Sequence, residues 1–137
     1  MTKLSLEVIT PTKVVLTEDA DEITVTTVDG QISVLPGHVN LFTKLVPSEM
    51  IIRNGGKTEY FAITGGFLEV SKNQVNILAD YAVRAQDIEI AKVREAHERA
   101  ERAMKNKQNE GEFRVAEAEL RKALLELKVA TKRKTRV

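Results

Sequence analysis

Chain-breaking residues are confined to one part of this sequence. All three Pro (Pro11, Pro36, Pro47) and six of the seven Gly lie before residue 67, and only Gly111 follows. A stretch broken so often cannot run as long helices, because Pro lacks the amide donor and Gly spends backbone entropy. The stretch after it has almost nothing to interrupt a helix. Charge divides at the same place. Residues 1–85 carry 7 basic and 10 acidic groups, a net −3, whereas residues 86–137 carry 14 and 10, a net +4. Two units are therefore expected, 1–85 and 86–137, meeting near Ala85-Gln86-Asp87.

The first unit reads as short strands. Leu4, Leu6 and Val8 alternate with Ser5 and Glu7, and Ile23, Val25 and Thr27 alternate with Glu22, Thr24 and Thr26. Period-two alternation gives one buried and one solvated face. Asn54-Gly55-Gly56 separates Met50-Ile51-Ile52 from Tyr60-Phe61-Ala62-Ile63, and Ser71-Lys72-Asn73 separates Phe67-Leu68-Glu69-Val70 from Val75-Asn76-Ile77-Leu78. Both are hairpin patterns. Eight or more such strands predict an antiparallel β-sandwich or flattened barrel.

The second unit reads as two helices, giving an α+β chain. Asp87 is placed to cap the first helix, and Glu89 suits its positive end. Val93, Ala96, Ala100 and Ala103 share one face, and His97 falls among charges, where solvation is expected. After the polar turn Lys105–Gly111, a second stripe runs through Phe113, Ala116, Leu120, Ala123, Leu127 and Ala130. The short link predicts an antiparallel hairpin. The first stripe is mostly Ala. At about 25 cal/mol per Å², Ala in place of Leu forfeits roughly 1–2 kcal/mol per position. The hairpin is expected to be marginal alone and weakly docked, hence mobile.

Several chemistries are excluded. With no Cys and only two His, at 38 and 97, neither a thiol nucleophile nor a metal cluster is expected. Gly65-Gly66 follows a strand but lacks the spaced glycines, the Lys and the helix of a phosphate loop. Glu69 and Asp80 stand alone, and the helical Glu residues interleave with Arg and Lys as surface pairs. Catalysis is not expected, and no cofactor is required. No apolar stretch approaches the roughly 20 residues of a membrane span. The start shows neither a signal peptide nor a transit peptide.

Three strings carry a resemblance: Gly30-Gln31-Ile32-Ser33-Val34-Leu35-Pro36-Gly37-His38, Ile63-Thr64-Gly65-Gly66-Phe67-Leu68-Glu69-Val70, and Val75-Asn76-Ile77-Leu78-Ala79-Asp80. In this order, followed by a charged hairpin, they resemble the epsilon subunits of F-type ATP synthases over essentially the whole chain. The resemblance implies a sandwich of about ten strands anchored to the gamma subunit and the c-subunit ring, within the rotor's central stalk. Catalysis would lie in the beta subunits. Gly30, Gln31 and Ile32 would lie in a loop facing the ring, with His38 near the gamma and ring contact. Gln31 stands where relatives can carry an acid, Ser33 replaces a frequent Gly, and Val39-Asn40 a frequent Ala-Pro.

The hairpin, extended toward the alpha/beta catalytic head, would block hydrolysis by meeting an acidic beta-subunit loop. Arg114, Arg121, Lys122 and Lys128, with Lys132, Arg133, Lys134 and Arg136, supply the charge, and Glu117, Glu119 and Glu126 dilute it. Some relatives bind regulatory ATP through a motif whose Asp and Arg are here Glu89 and Lys92. Lys keeps the charge but not the planar fork, and Glu126 places a like charge where a second-helix Arg stands in those relatives. The implied location is peripheral, on the cytoplasmic face of a bacterial plasma membrane, or else on the stromal side of a thylakoid. Two other readings stand open: a purely structural coupling subunit whose hairpin never inhibits, and a nucleic-acid module using the basic helices and tail. Aromatics at 4% with no Trp argue against the latter.

Overall fold

The computed structural model describes residues 2–105 and 110–135, with side chains described as far as residue 131. The chain divides into two compact units, one ending at Arg84 and the other starting at Ala85.

The first unit holds ten strands: β1 (Leu4–Ile9), β2 (Val14–Ala20), β3 (Glu22–Thr27), β4 (Gly30–Val34), β5 (Leu41–Leu45), β6 (Ser48–Asn54), β7 (Lys57–Ile63), β8 (Gly66–Ser71), β9 (Gln74–Ala79) and β10 (Ala82–Arg84). They form one sheet in the order β10-β7-β6-β3-β5-β8-β9-β1-β2, and β4 hangs from β3 off this path. The sheet curls into a nearly closed barrel, with β2 returning against β6. Pairing is antiparallel except between β1 and β9, where Leu6 lies beside Val75 and Val8 beside Ile77 in parallel register.

Inside, the alternating residues meet as expected. Leu4, Leu6, Val8, Ile23, Ile52, Phe61, Leu68 and Ile77 are essentially inaccessible. They come from six strands spread along the chain, so closure of the sheet is what removes them from water.

The two ends of the sheet path meet as a polar seam. Glu18 points inward from edge strand β2, Glu59 sits on β7, and Arg84 on edge strand β10 forms an ion pair with Glu59, its Nε 3.2 Å from the carboxylate. The Arg84 guanidinium also lies 5.3 Å from the Phe61 ring centroid. Burial, followed by the charge and hydrogen bond of Glu59, raises the pKa of Glu18 above its usual value, against the opposing pull of Arg84 and Lys57. Inward charge on an edge strand also discourages pairing with a foreign strand. Nearby, the Gly55 amide donates to Asp21 at 2.6 Å. Lys3 adds an ion pair at 3.0 Å. The Gly55 bond, then Lys3, lower the Asp21 pKa.

Gly65 and Gly66 connect β7 to β8 with φ of 128° and 135°. A Cβ on Gly66 would fall 2.0 Å from the Leu78 carbonyl oxygen. The pair is required by the backbone, which explains a Gly-Gly string with no phosphate-loop features.

The second unit opens with a 3-10 turn, Ala85–Asp87, followed by α1 (Ile90–Lys105) and α2 (Glu110–Thr135). The two helices pack along each other, and the 3-10 turn lies against α2. Three expectations need correction. Asp87 belongs to the 3-10 turn and does not cap α1. The Glu89 carbonyl accepts the first helical bond, from the Val93 amide at 3.0 Å. The cap is thus shifted two residues on, because Ala85 bonds Ile88 first. On α1 the covered face runs Val93, Ala96, Ala100, Met104, leaving Ala103 exposed. His97 is not solvated but half-buried, with Nδ1 2.9 Å from Glu101 Oε1 one turn on. The α2 stripe holds: Ala116, Ala123 and Ala130 are buried, and Phe113, Leu120 and Leu127 half-buried. Glu126 is also buried, at 8% exposure. Residues 106–109 of the polar turn, the Lys132, Arg133 and Lys134 side chains and all of Arg136 lie outside the described residues.

Candidate functional site

Among the described residues no group of His, Asp and Glu could hold a metal ion. Among the described residues, the chemistry presented to the surroundings lies on the β unit and along α2.

The first is built around β4. Gly30, Gln31 and Ile32 do not lie in a loop as expected; they form the start of β4, pairing with Thr27, Thr26 and Val25 of β3. The preceding hairpin is only two residues long, so the ladder closes directly at Thr27 and Gly30. The Thr27 hydroxyl donates to the Gly30 carbonyl at 2.9 Å and accepts from the Asp29 amide at 3.1 Å. Gly30 and Gln31 are exposed and Ile32 half-buried. Ser33 lies within hydrogen-bond distance of Thr24, hydroxyl to hydroxyl at 2.9 Å.

His38 lies beyond the other end of β4. A five-residue strand spans about 13 Å, so Gly30 and His38 mark the two ends of one exposed edge. The turn at Leu35–His38 closes through the His38 amide and the Leu35 carbonyl at 3.1 Å. Gly37 has φ of 88°. Pro followed by a positive-φ Gly is the type II pattern. His38 Nδ1 lies 2.7 Å from the Val39 carbonyl. A carbonyl only accepts, so Nδ1 carries the proton and Nε2 is left available to a partner. Leu35 and Val39 beside it are 50% and 75% exposed.

An apolar patch on the same unit escaped the sequence reading. Phe42, Phe67 and Leu78 point outward from adjacent strands β5, β8 and β9 at 64%, 43% and 47% exposure. Phe67 lies opposite both Lys44 and Leu78. The Phe42 and Phe67 rings stack with centroids 5.6 Å apart. Three large apolar side chains on the solvated face of a sheet form an exposed apolar patch of the kind contact surfaces carry. The available signal was the phase. In Phe67-Leu68-Glu69-Val70 the alternation assigns Leu68 and Val70 inward, so Phe67 must point out.

The second surface is the outer line of α2. Arg114, Arg121 and Lys128 are seven residues apart and all exposed. Seven residues are nearly two full turns, so the three cations lie on one line, about 10 Å apart. Arg121 pairs with Glu117 at 3.1 Å. Lys122 is half-buried at the edge of this line. Val115 and Leu124, 61% and 50% exposed, flank it.

Glu89 and Lys92 sit before and within the first turn of α1 and bond each other at 3.1 Å, both largely exposed.

Comparison with known proteins gives a consistent result for both units. Residues 3–85 match the family described as ATP synthase, Delta/Epsilon chain, beta-sandwich domain. Residues 86–131 match ATP synthase, Delta/Epsilon chain, long alpha-helix domain. The ATP synthase epsilon chain of Herpetosiphon aurantiacus is 39% identical over 97% of this chain and 98% of its own length. That of Geotalea daltonii is 40% identical over 95% of each. Among solved structures, a chain of the Euglena gracilis mitochondrial ATP synthase assembly of OSCP, F1 and c-ring superposes with a TM-score of 0.79 at 28% identity. It covers 96% of this chain and 82% of the other. With both units matched and bacterial relatives aligned over nearly their full length, the chain belongs to the ATP synthase epsilon-chain family.

Proposed function

We propose that this protein is a non-catalytic rotor subunit in the central stalk of a bacterial proton-translocating ATP synthase. The single observation that carries the proposal is the division of exposed chemistry between the units. The β unit presents an apolar, rigidly framed surface, and α2 presents a line of cations. In this reading Phe42, Phe67 and Leu78 join Gly30, Gln31, Ile32 and His38 in holding the gamma subunit and the c-ring. Burial of three large apolar side chains supplies affinity, and the polar groups along β4 set orientation. Arg114, Arg121 and Lys128, with Lys122 beside them, meet an acidic surface of the catalytic head and slow ATP hydrolysis. The similarity to epsilon chains supports the assignment, as does the Euglena c-ring assembly.

No helix among the described residues is long and apolar enough to cross a membrane. The protein would then reach the cytoplasmic face of the membrane through the complex. Lys92 lacks the planar fork that grips phosphate in two places, so nucleotide plays no part in the proposal.

The test is ATP hydrolysis by a synthase stripped of this subunit, with full-length protein added back at low and high salt. Wild type should bind and slow hydrolysis, with relief at high salt. The variant R114Q/R121Q/K128Q should bind equally and slow hydrolysis less, and F67D should lose binding. Equal slowing by wild type and the triple variant would remove α2 from the mechanism. Binding without any slowing would leave a purely coupling subunit. Failure of wild type to bind the complex, together with salt-sensitive binding to random DNA, would overturn the assignment.

A further inference from the structure

The turn carrying His38 is held from outside by a residue 36 positions away. Asn73 Oδ1 accepts a hydrogen bond from the Gly37 amide at 2.7 Å. In a type II turn that amide belongs to the central peptide, whose flip distinguishes type II from type I. Nothing within the turn holds it, because the closing bond runs from the His38 amide to the Leu35 carbonyl. Asn73 therefore fixes the one peptide that decides how the turn is shaped.

Asn73 is itself fixed. Lys72 and Asn73 have φ of 50° and 65° and form the two-residue loop joining β8 to β9. The Ser71–Gln74 pair closes this hairpin. The Asn73 carbonyl accepts from the Ser5 amide at 2.8 Å, tying the loop to the start of β1. Gly is the low-energy residue at such a position. An Asn there gives up that ease and gains a side-chain acceptor, and the acceptor reaches Gly37.

We propose that Asn73 is a positioning residue: it presents the turn carrying His38, with Leu35 and Val39 beside it, in a preset shape to the rotor partner. This deepens the proposed function and rests on that turn being a contact. Preset shape lowers the ordering cost of binding. The partner is the polar and apolar surface at the junction of gamma and the c-ring.

The experiment uses full-length wild type, N73G, N73D and H38A. It measures Gly37 amide exchange by NMR, the Tm, and the Kd for a synthase stripped of this subunit. N73G keeps the backbone conformation and removes the acceptor. Its Gly37 amide should exchange faster and its Tm stay within about 3 °C of wild type. Its affinity should fall about three- to tenfold, the range of one neutral hydrogen bond. N73D keeps an acceptor and should bind within about twofold of wild type, whereas H38A should bind more weakly. Wild-type affinity in N73G beside a weakened H38A overturns the positioning role and leaves the contact intact. Equal weakening of N73G and N73D overturns it as well, because the acceptor is then irrelevant. Wild-type binding by H38A means the turn is no contact, and the inference falls with that reading.

Discussion

The two units bury different things. In the β unit the inaccessible side chains are large: Phe61, Leu4, Leu6, Ile23, Met50 and Ile52 head the set. In the helical unit the buried positions on the helices, among the described residues, are Ala100, Ala116, Ala123 and Ala130, with only Val129 and Glu126 larger. A core of Leu, Ile and Phe gives each residue about 1.5–3 kcal/mol of burial, whereas an Ala gives a fraction of that. The β unit is built to keep one shape. The hairpin is built for close helix approach with little free energy tied up in the seam. One chain thus supplies a rigid unit and an element that is cheap to separate.

The largest effect should come from breaking the rigid side at Gly66. Gly66→Ala drives a methyl into the Leu78 carbonyl at a φ of 135°. Neither strand can give way, because β8 and β9 pair along their whole length. The loss should be about 3 kcal/mol or more. Thermal unfolding would show it as a large drop in Tm, and an unchanged Tm would mean that β9 shifts freely.

A direct contrast between the two seams comes next. Leu68→Ala should destabilise by about 2–5 kcal/mol through lost burial and a cavity. Ala123→Gly, at an equally buried point of α2, should lose only about 1 kcal/mol, most of it helix propensity. Hydrogen exchange should localise each loss to its own unit. If Ala123→Gly matched Leu68→Ala, the hairpin seam would be as tightly committed as the barrel, and the contrast drawn above would fail.

Most of this architecture was legible from the chain. The strand alternation at Leu4-Leu6-Val8, the hairpins at Gly55-Gly56 and Lys72-Asn73, and the α2 stripe are local patterns, and each has a local physical cause. What was not legible depends on partners distant in sequence. The parallel β1–β9 pair cannot be read from either strand. The half-burial of His97 depends on what covers that face of α1. The Asn73–Gly37 bond joins two turns that look self-sufficient. The family resemblance put Gln31 in a loop, yet the turn is only Val28-Asp29, so Gln31 already pairs with Thr26 in β4. For the proposed contact surface, the Leu-Pro-Gly-His string pointed at one end of β4, and the stacked Phe42 and Phe67 needed the sheet order.

The seam between the edge strands offers a subtler way to probe the rigid unit. Glu18 has its pKa raised in the fold, by burial first and Glu59 second. A carboxyl whose folded pKa lies above its unfolded one stabilises the fold below the unfolded value. That contribution is lost as pH rises through the folded pKa. Stability should therefore decline from the ordinary value of 4.5 upward across the folded titration. Glu18→Gln, which keeps the uncharged shape, should raise Tm by a few degrees at neutral pH and flatten this decline. The groups facing Glu18 are Glu59 and Lys57 on β7 and Arg84 on β10. A lower Tm in Glu18→Gln at neutral pH would show that the charged carboxylate is held by Arg84 and that Glu59 is the weaker neighbour.

The smallest stability effect belongs to the other unit, where it separates folding from function. Arg121→Gln removes an exposed i,i+4 pair with Glu117, at 70% and 36% side-chain exposure. Water and salt screen such a pair, so its loss should change stability by about 0.5 kcal/mol or less. The same cation is the centre of the line formed with Arg114 and Lys128. If that line meets an acidic surface, its removal acts on the complex through long-range attraction, which the helix does not need in order to fold. The expected pattern is an unchanged Tm together with weaker slowing of hydrolysis, most evident at low salt. A drop in Tm of several degrees would instead make Arg121 a structural residue of the hairpin. The comparison would then turn around, because the element described as cheap to separate would be relying on its surface charges to stay together.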